Sequence, residues 1–187
     1  MMVTQIFLLT ITAAVARRNQ LHLFGAKEFS SWFWVLGAAW LVLVATRIKS
    51  GWSRLSAQRK TGARLLLPES PVEMRYWIPI SILAGISEEW AYRGVAFTML
   101  AKFVQSPSAA AIVCIAAFGI AHMFQGWRGV LATSVLAALF HLLVWQLQSL
   151  DLAILLHAGY DLIVGVIAMK AFMREDGASL NTAPATS

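Results

Sequence analysis

The chain has 187 residues, of which 59% are hydrophobic and only 13% charged, with a net charge of +6. That length favours one domain. Soluble domains run nearer half apolar and a quarter charged, so the composition points to an integral membrane protein and away from a soluble one. The basic excess sits largely in one segment between apolar runs, so membrane topology accounts for it better than nucleic acid does.

Mean hydropathy is +0.68. The eight tryptophans suit aromatic belts at the two bilayer surfaces. Cys114 is the only cysteine, which leaves no intrachain disulfide or multi-cysteine metal site; it reads as a small apolar residue within a span.

Six apolar segments follow in chain order. The first, 2–16, is short for a span and is followed by Arg17 and Arg18. Positive charges behind an apolar run are the wrong flank for a signal peptide, so it reads as a short first helix. The second, 29–48, is long enough for ~30 Å of hydrocarbon. The third, 76–100, contains "ISEEWAYRG" and has only three formal charges, Glu88, Glu89 and Arg93. The fourth, fifth and sixth are 108–124, 129–148 and 152–172.

Ser70, Pro71 and Glu73 read as a helix cap ahead of the third segment, and "SPS" at 106–108 repeats the Ser-Pro start before the fourth. Pro79 is expected to bend the third helix or mark its true beginning. Spans in lipid satisfy their own backbone, so these segments are helices. The expected fold is an all-α integral membrane protein, a compact bundle of about six transmembrane helices around an intramembrane polar site. Residues 1–174 form its single domain, with the catalytic core at 76–172, and the polar stretch 175–187 reads as a disordered tail.

Between the second and third segments lie Lys49, Arg54, Arg59, Lys60, Arg64 and Arg75. The positive-inside rule puts this loop in the cytoplasm. Counting crossings places Arg128, Lys170 and Arg174 on the same side, Lys102 outside and both termini in the cytoplasm. Arg17, Arg18 and Lys27 then fall outside, against the rule.

Ionisable residues inside spans are costly and are functional candidates by default. Beyond Glu88, Glu89 and Arg93 these are His122, His141, His157 and Asp161. Glu89 and Arg93 are four apart and share a helix face. Glu88 points about 100° away, towards Tyr92 and Gly85, and is left unpaired. His157 and Asp161 are four apart, as are Phe118 and His122. His141 has no polar helical neighbour at such spacing beyond the Trp145 indole, and reads as a packed or pore-facing histidine.

Such a set permits hydrolysis. A buried carboxylate is a general base suited to neutral pH, a histidine opposite it can hold the same water, and a second histidine with a side-chain donor can stabilise an oxyanion. Zinc bound by Glu88, His122 and His157 is the alternative use of the same residues, though there is no HExxH. No GxSxG elbow supports a serine hydrolase. A proton-coupled transporter would also use buried Glu and His, but the inverted repeats that would favour it are absent from the sequence.

"EEWAYR", "FGIAH" and "HAGYD" are Glu-Glu-x-x-x-Arg, Phe-x-x-x-His and His-x-x-x-Asp motifs, in that order on successive apolar segments. The set resembles the CPBP family, the CAAX prenyl protease and bacteriocin-processing group also called Abi, over about residues 76–170. Its eukaryotic relatives are the type II CAAX proteases. The resemblance implies a glutamate-type intramembrane endopeptidase without a cofactor. Glu88 would activate water, His122 would help to position it, and Glu89 with Arg93 would hold the site in shape. His157 and Asp161 would occupy the oxyanion positions. Asparagine is common at the last of these in the prenyl proteases, and an ionised aspartate cannot donate to an oxyanion, so Asp161 would be protonated or would orient His157.

The resemblance further implies a bacterial plasma membrane and a peptide or protein substrate, such as a leader peptide or the anchored tail of a surface protein. Membership of the same family also allows a non-enzymatic immunity or scaffold protein. Simple counting sets His122 towards the cytoplasmic face and His157 towards the outer one, so their convergence with Glu88 demands a broken, tilted or re-entrant helix.

Overall fold

The computed structural model describes residues 2–21 and 30–182, the side chains of 179–182 excepted. Lys27 and residues 183–187 of the expected tail lie outside the described residues. Among the described residues eight α-helices follow in order: α1 Met2–Arg18, α2 Trp32–Trp52, α3 Ala57–Arg64, α4 Pro71–Glu89, α5 Phe97–Val104, α6 Pro107–Ala121, α7 Gly126–Leu147 and α8 Asp151–Thr182. There is no strand among the described residues.

The start signals act as their chemistry directs. Ser70 Oγ accepts from Glu73 N at 3.3 Å, and Ser106 Oγ accepts from Ala109 N at 3.3 Å, each with proline next in line. Pro79 does not mark the beginning of its helix: α4 starts at Pro71 and runs through it. Neither does the third segment remain α-helical. Residues Trp90–Ala96 form a π-helical turn between α4 and α5. Such turns insert one residue into a helix and recur at functional sites.

The fold is that of an all-α membrane protein. α2, α8 and the stretch Met123–Leu147 are long and apolar enough to cross a bilayer, whereas α6 is a shorter apolar helix. Large side chains point outward: Phe7, Trp32, Leu36, Val42, Ile112 and Leu142 are exposed, while Ser81, Ser87, Glu89 and Arg93 are buried. Polar side chains within and apolar ones without suit a hydrocarbon solvent, not water.

α4 packs most extensively on α8, α1 covers α4 and the π turn, α6 pairs with α7, and α2 lies along α8. Trp40 meets Tyr160 and Trp52 meets Phe172, so α2 and α8 run in the same direction. Phe140, Leu147, Leu152 and Leu156 form one apolar core between α7 and α8.

α8 does not stop where its sequence turns polar. It continues past Glu175 because α3 offers cations to that end: Lys60 Nζ donates to Glu175 at 2.5 Å and Arg64 donates to Asp176 at 2.7 Å and to Glu69, with its guanidinium 4.3 Å over Phe172. Such solvent-exposed pairs stabilise little individually, and here they form a network with a stacked ring.

The α4–α8 contact depends on Gly85. A Cβ there would stand 2.9 Å from the Ile154 carbonyl oxygen and 3.0 Å from Ala158. Gly85→Ala is therefore expected to cost about 1–3 kcal/mol of overpacking, only partly offset by helix propensity. At Gly62 in α3 a Cβ would meet nothing within 4 Å. Gly62→Ala is expected to be neutral or slightly stabilising. Thermal unfolding in detergent measures both, and equal melting temperatures for the two variants would contradict the close α4–α8 approach.

Candidate active site

Two adjacent acids at the end of α4 enter different surroundings. Glu89 is fully buried, and its Oε1 accepts from Arg93 Nη1 at 3.0 Å and from His157 Nδ1 at 2.8 Å. The expected Glu89–Arg93 pair is present, and α8 adds a third member to it. Arg93 also donates to the Ala137 carbonyl at 3.4 Å and lies 4.6 Å over the Phe118 ring. Two donor groups on one oxygen, with an aromatic face against the guanidinium, offset the loss of solvent around this pair.

Glu88 is held differently. Its Oε1 accepts from Gln5 Nε2 on α1 at 2.8 Å, and the same amide's oxygen accepts from Ser87 Oγ at 2.5 Å. Its Oε2 is buried without a hydrogen-bond partner and faces His157 Nε2 at 3.8 Å. Glu88 is therefore not wholly unpaired: one oxygen is fixed and the other is open.

Because Glu89 is acceptor-only when ionised, the proton on His157 Nδ1 points at it and Nε2 is turned towards Glu88 and Asp161. Asp161 Oδ2 is 3.8 Å from that nitrogen, beyond a hydrogen bond, so Glu89 and not Asp161 orients the ring. The Asp161 backbone carbonyl accepts from Trp77 Nε1 at 2.9 Å, which ties this turn of α8 to α4.

His122 caps the end of α6, with Nδ1 at 2.8 Å from the Phe118 carbonyl. A carbonyl only accepts, so Nδ1 carries the proton and Nε2 is left for another group. His122 makes no direct hydrogen bond to Glu88; the two sides of the site meet through Phe118. That ring lies 4.6 Å from His122, 5.0 Å from Tyr92 and 6.1 Å from His157.

The depth conflict expected from counting resolves here. α6 and α8 run in the same direction, and the Phe118–His157 contact sets their level. His122 and Asp161 are each one turn further along, so they share the next layer, and Asp161 lies within electrostatic range of His157, Glu88, His122 and Glu89. No re-entrant helix is needed. α6 is simply short, and a 3₁₀ turn at Met123–Gln125 follows, closed by Gly126 at φ +76°.

His141 is buried with Nε2 lacking a hydrogen-bond partner, and its ring is 5.4 Å from Phe97. It lines a cavity of about 830 Å³ between α5, α6 and α7 together with Arg93, Phe97 and Trp145. The cavity shares Arg93 with the cluster, but none of Glu88, Glu89, His122, His157 or Asp161 lines it. Sequence reasoning missed Gln5 and Ser87. Neither is charged, and Gln5 is distant in sequence; the only signal was an uncharged polar side chain in an apolar first helix.

No curated protein and no solved structure matches the chain significantly. A family model, the type II CAAX prenyl endopeptidase Rce1-like family, matches residues 70–163. The matched stretch runs from the Ser70 cap of α4 to just beyond Asp161 in α8 and holds Glu88, Glu89, Arg93, His122, His157 and Asp161. It covers half of the sequence, and on that ground the chain belongs to the Rce1-like family of type II CAAX prenyl endopeptidases.

Proposed function

We propose that the chain hydrolyses peptide bonds at the membrane with Glu88 as general base. The family brings with it CAAX-type intramembrane proteolysis. The observation that carries the finer reading is the asymmetry of Glu88, with Oε1 fixed by Gln5 and Oε2 buried, unpartnered and aimed at His157. A buried oxygen without a partner costs about 1–3 kcal/mol; Glu89 Oε2 is likewise without one, but its other oxygen carries both Arg93 and His157, whereas Glu88 Oε2 faces His157 Nε2 across a gap.

In this mechanism Glu88 Oε2 takes a proton from water as the oxygen adds to the scissile carbonyl carbon. His122 Nε2 helps to hold that water. The oxyanion is met by His157 Nε2 when that nitrogen is protonated, and Glu88 returns its proton to the leaving amine as the C–N bond breaks. Glu89 and Arg93 hold His157 in place. Asp161 acts on His157, since an ionised carboxylate has no hydrogen to donate.

The more exposed members, His122 and Asp161, lie on the side of the cluster nearer the end of α8 that meets basic α3. Positive residues there favour the cytoplasmic face, so water and a membrane-held peptide would enter from that side. A leader peptide or the anchored tail of a surface protein in a bacterial plasma membrane fits this approach.

Purified protein in detergent is expected to cleave a membrane-anchored reporter peptide. Glu88→Gln should lower turnover by at least about a hundredfold with the melting temperature retained. Undiminished cleavage by that variant sinks the mechanism, whereas no cleavage by the parent protein would leave an immunity or scaffold role in its place.

We further propose that no metal takes part. The zinc-dependent alternative would draw on Glu88, His122 and His157, and one Glu88 oxygen is already held by the Gln5 amide. Exhaustive chelation is expected to leave the cleavage rate unchanged. A loss that added zinc restores would favour the zinc-dependent alternative.

A further inference from the structure

We propose that Gln5 is a positioning residue for Glu88, supplied by a helix outside the family-matched stretch. The inference rests on Glu88 being the base. Its own observations are two hydrogen bonds in series: Ser87 Oγ donates to Gln5 Oε1 at 2.5 Å, and Gln5 Nε2 donates to Glu88 Oε1 at 2.8 Å. An ionised Glu88 only accepts, so it takes the amide N–H, and the fully buried Ser87 hydroxyl then donates to the amide oxygen. The Ser87 bond then holds the Gln5 side chain at both ends.

The consequence is a choice between two chemically equal oxygens. Oε1 has a donor and is the poorer proton acceptor. Oε2 has none, is buried, and faces His157 Nε2 at 3.8 Å. Without Gln5 the carboxylate plane could turn about its last bond, and neither oxygen would be held facing His157 Nε2. With Gln5 one orientation is kept, which is the preorganisation that proton transfer requires.

A plain packing role for Gln5 makes a different forecast. α1 lies against α4 and the π turn, with Thr12 and Ala16 as its buried residues, so its docking has apolar contributions apart from Gln5. Gln5→Met keeps side-chain length and removes both hydrogen bonds.

The experiment measures kcat, KM and the melting temperature of full-length protein on the anchored reporter peptide. Gln5→Met is expected to lower kcat about ten- to a hundredfold, the effect of one hydrogen bond to a charged group, with KM and melting temperature close to the parent. Ser87→Ala, which frees the amide to turn, is expected to lower kcat in the same sense but less. The inference is overturned if Glu88→Gln is inactive while Gln5→Met keeps the parent kcat. It is equally overturned if kcat, KM and melting temperature fall together. A fully active Glu88→Gln would instead bring down the general-base reading, and this inference with it.

Discussion

The Glu89 carboxylate receives Arg93 from one turn along its own chain and His157 from α8, both on the same oxygen and both without solvent. A charge in such a place is tolerable only when paired, and removing one partner of a buried pair typically costs about 3–5 kcal/mol. The other placements follow from this contact. It locks α8 to α4 at the level of Phe118. It fixes the His157 ring so that Nε2 faces Glu88. It also turns an arginine that would be expensive in hydrocarbon into a buried post between α4 and α7, bonded to the Ala137 carbonyl.

Close approach of the helices makes that contact possible. Gly85 lets α4 meet the Ile154 carbonyl and Ala158, and Trp77 bonds the Asp161 carbonyl on the same face. Small residues at such seams are how helices associate in lipid, where the hydrophobic effect does not press them together. The π turn then carries the chain from α4 into α5 just after the two acids. Arg93 still reaches back to Glu89 across it, and Tyr92 meets the edge of Phe118.

Much of this was legible in the sequence because membrane helices announce themselves. Six apolar runs became helices, two serine caps fell where Ser-Pro stood, and the four-residue spacing of Glu89 and Arg93 gave a real pair. What escaped was information that spacing along one helix does not hold. His157 is four residues from Asp161, yet it bonds Glu89 on another helix at 2.8 Å, and Asp161 stays at 3.8 Å. Gln5 reaches Glu88 from the first helix, and the π turn has no residue signature. Residues 175–182 of the polar stretch stayed helical where α3 presents Lys60 and Arg64 to Glu175 and Asp176, a contact between segments far apart in sequence.

The hydrogen-bond inventory limits how an oxyanion could be met here. Glu88, Glu89 and an ionised Asp161 are acceptors, and Arg93 is turned towards Glu89 and Ala137. His122 has its Nδ1 proton committed to the Phe118 carbonyl. Nε2 of His157 is a donor when protonated and faces Glu88 Oε2. His157 lies between two carboxylates at equal 3.8 Å separations, so neither holds its Nε2 in a formed hydrogen bond. A new negative oxygen beside Glu88 would find that nitrogen unclaimed. An aspartate in place of a neutral asparagine thus changes the division of labour at the proposed site. In the proposed mechanism the donor work therefore falls to His157, because an ionised Asp161 has no hydrogen to give.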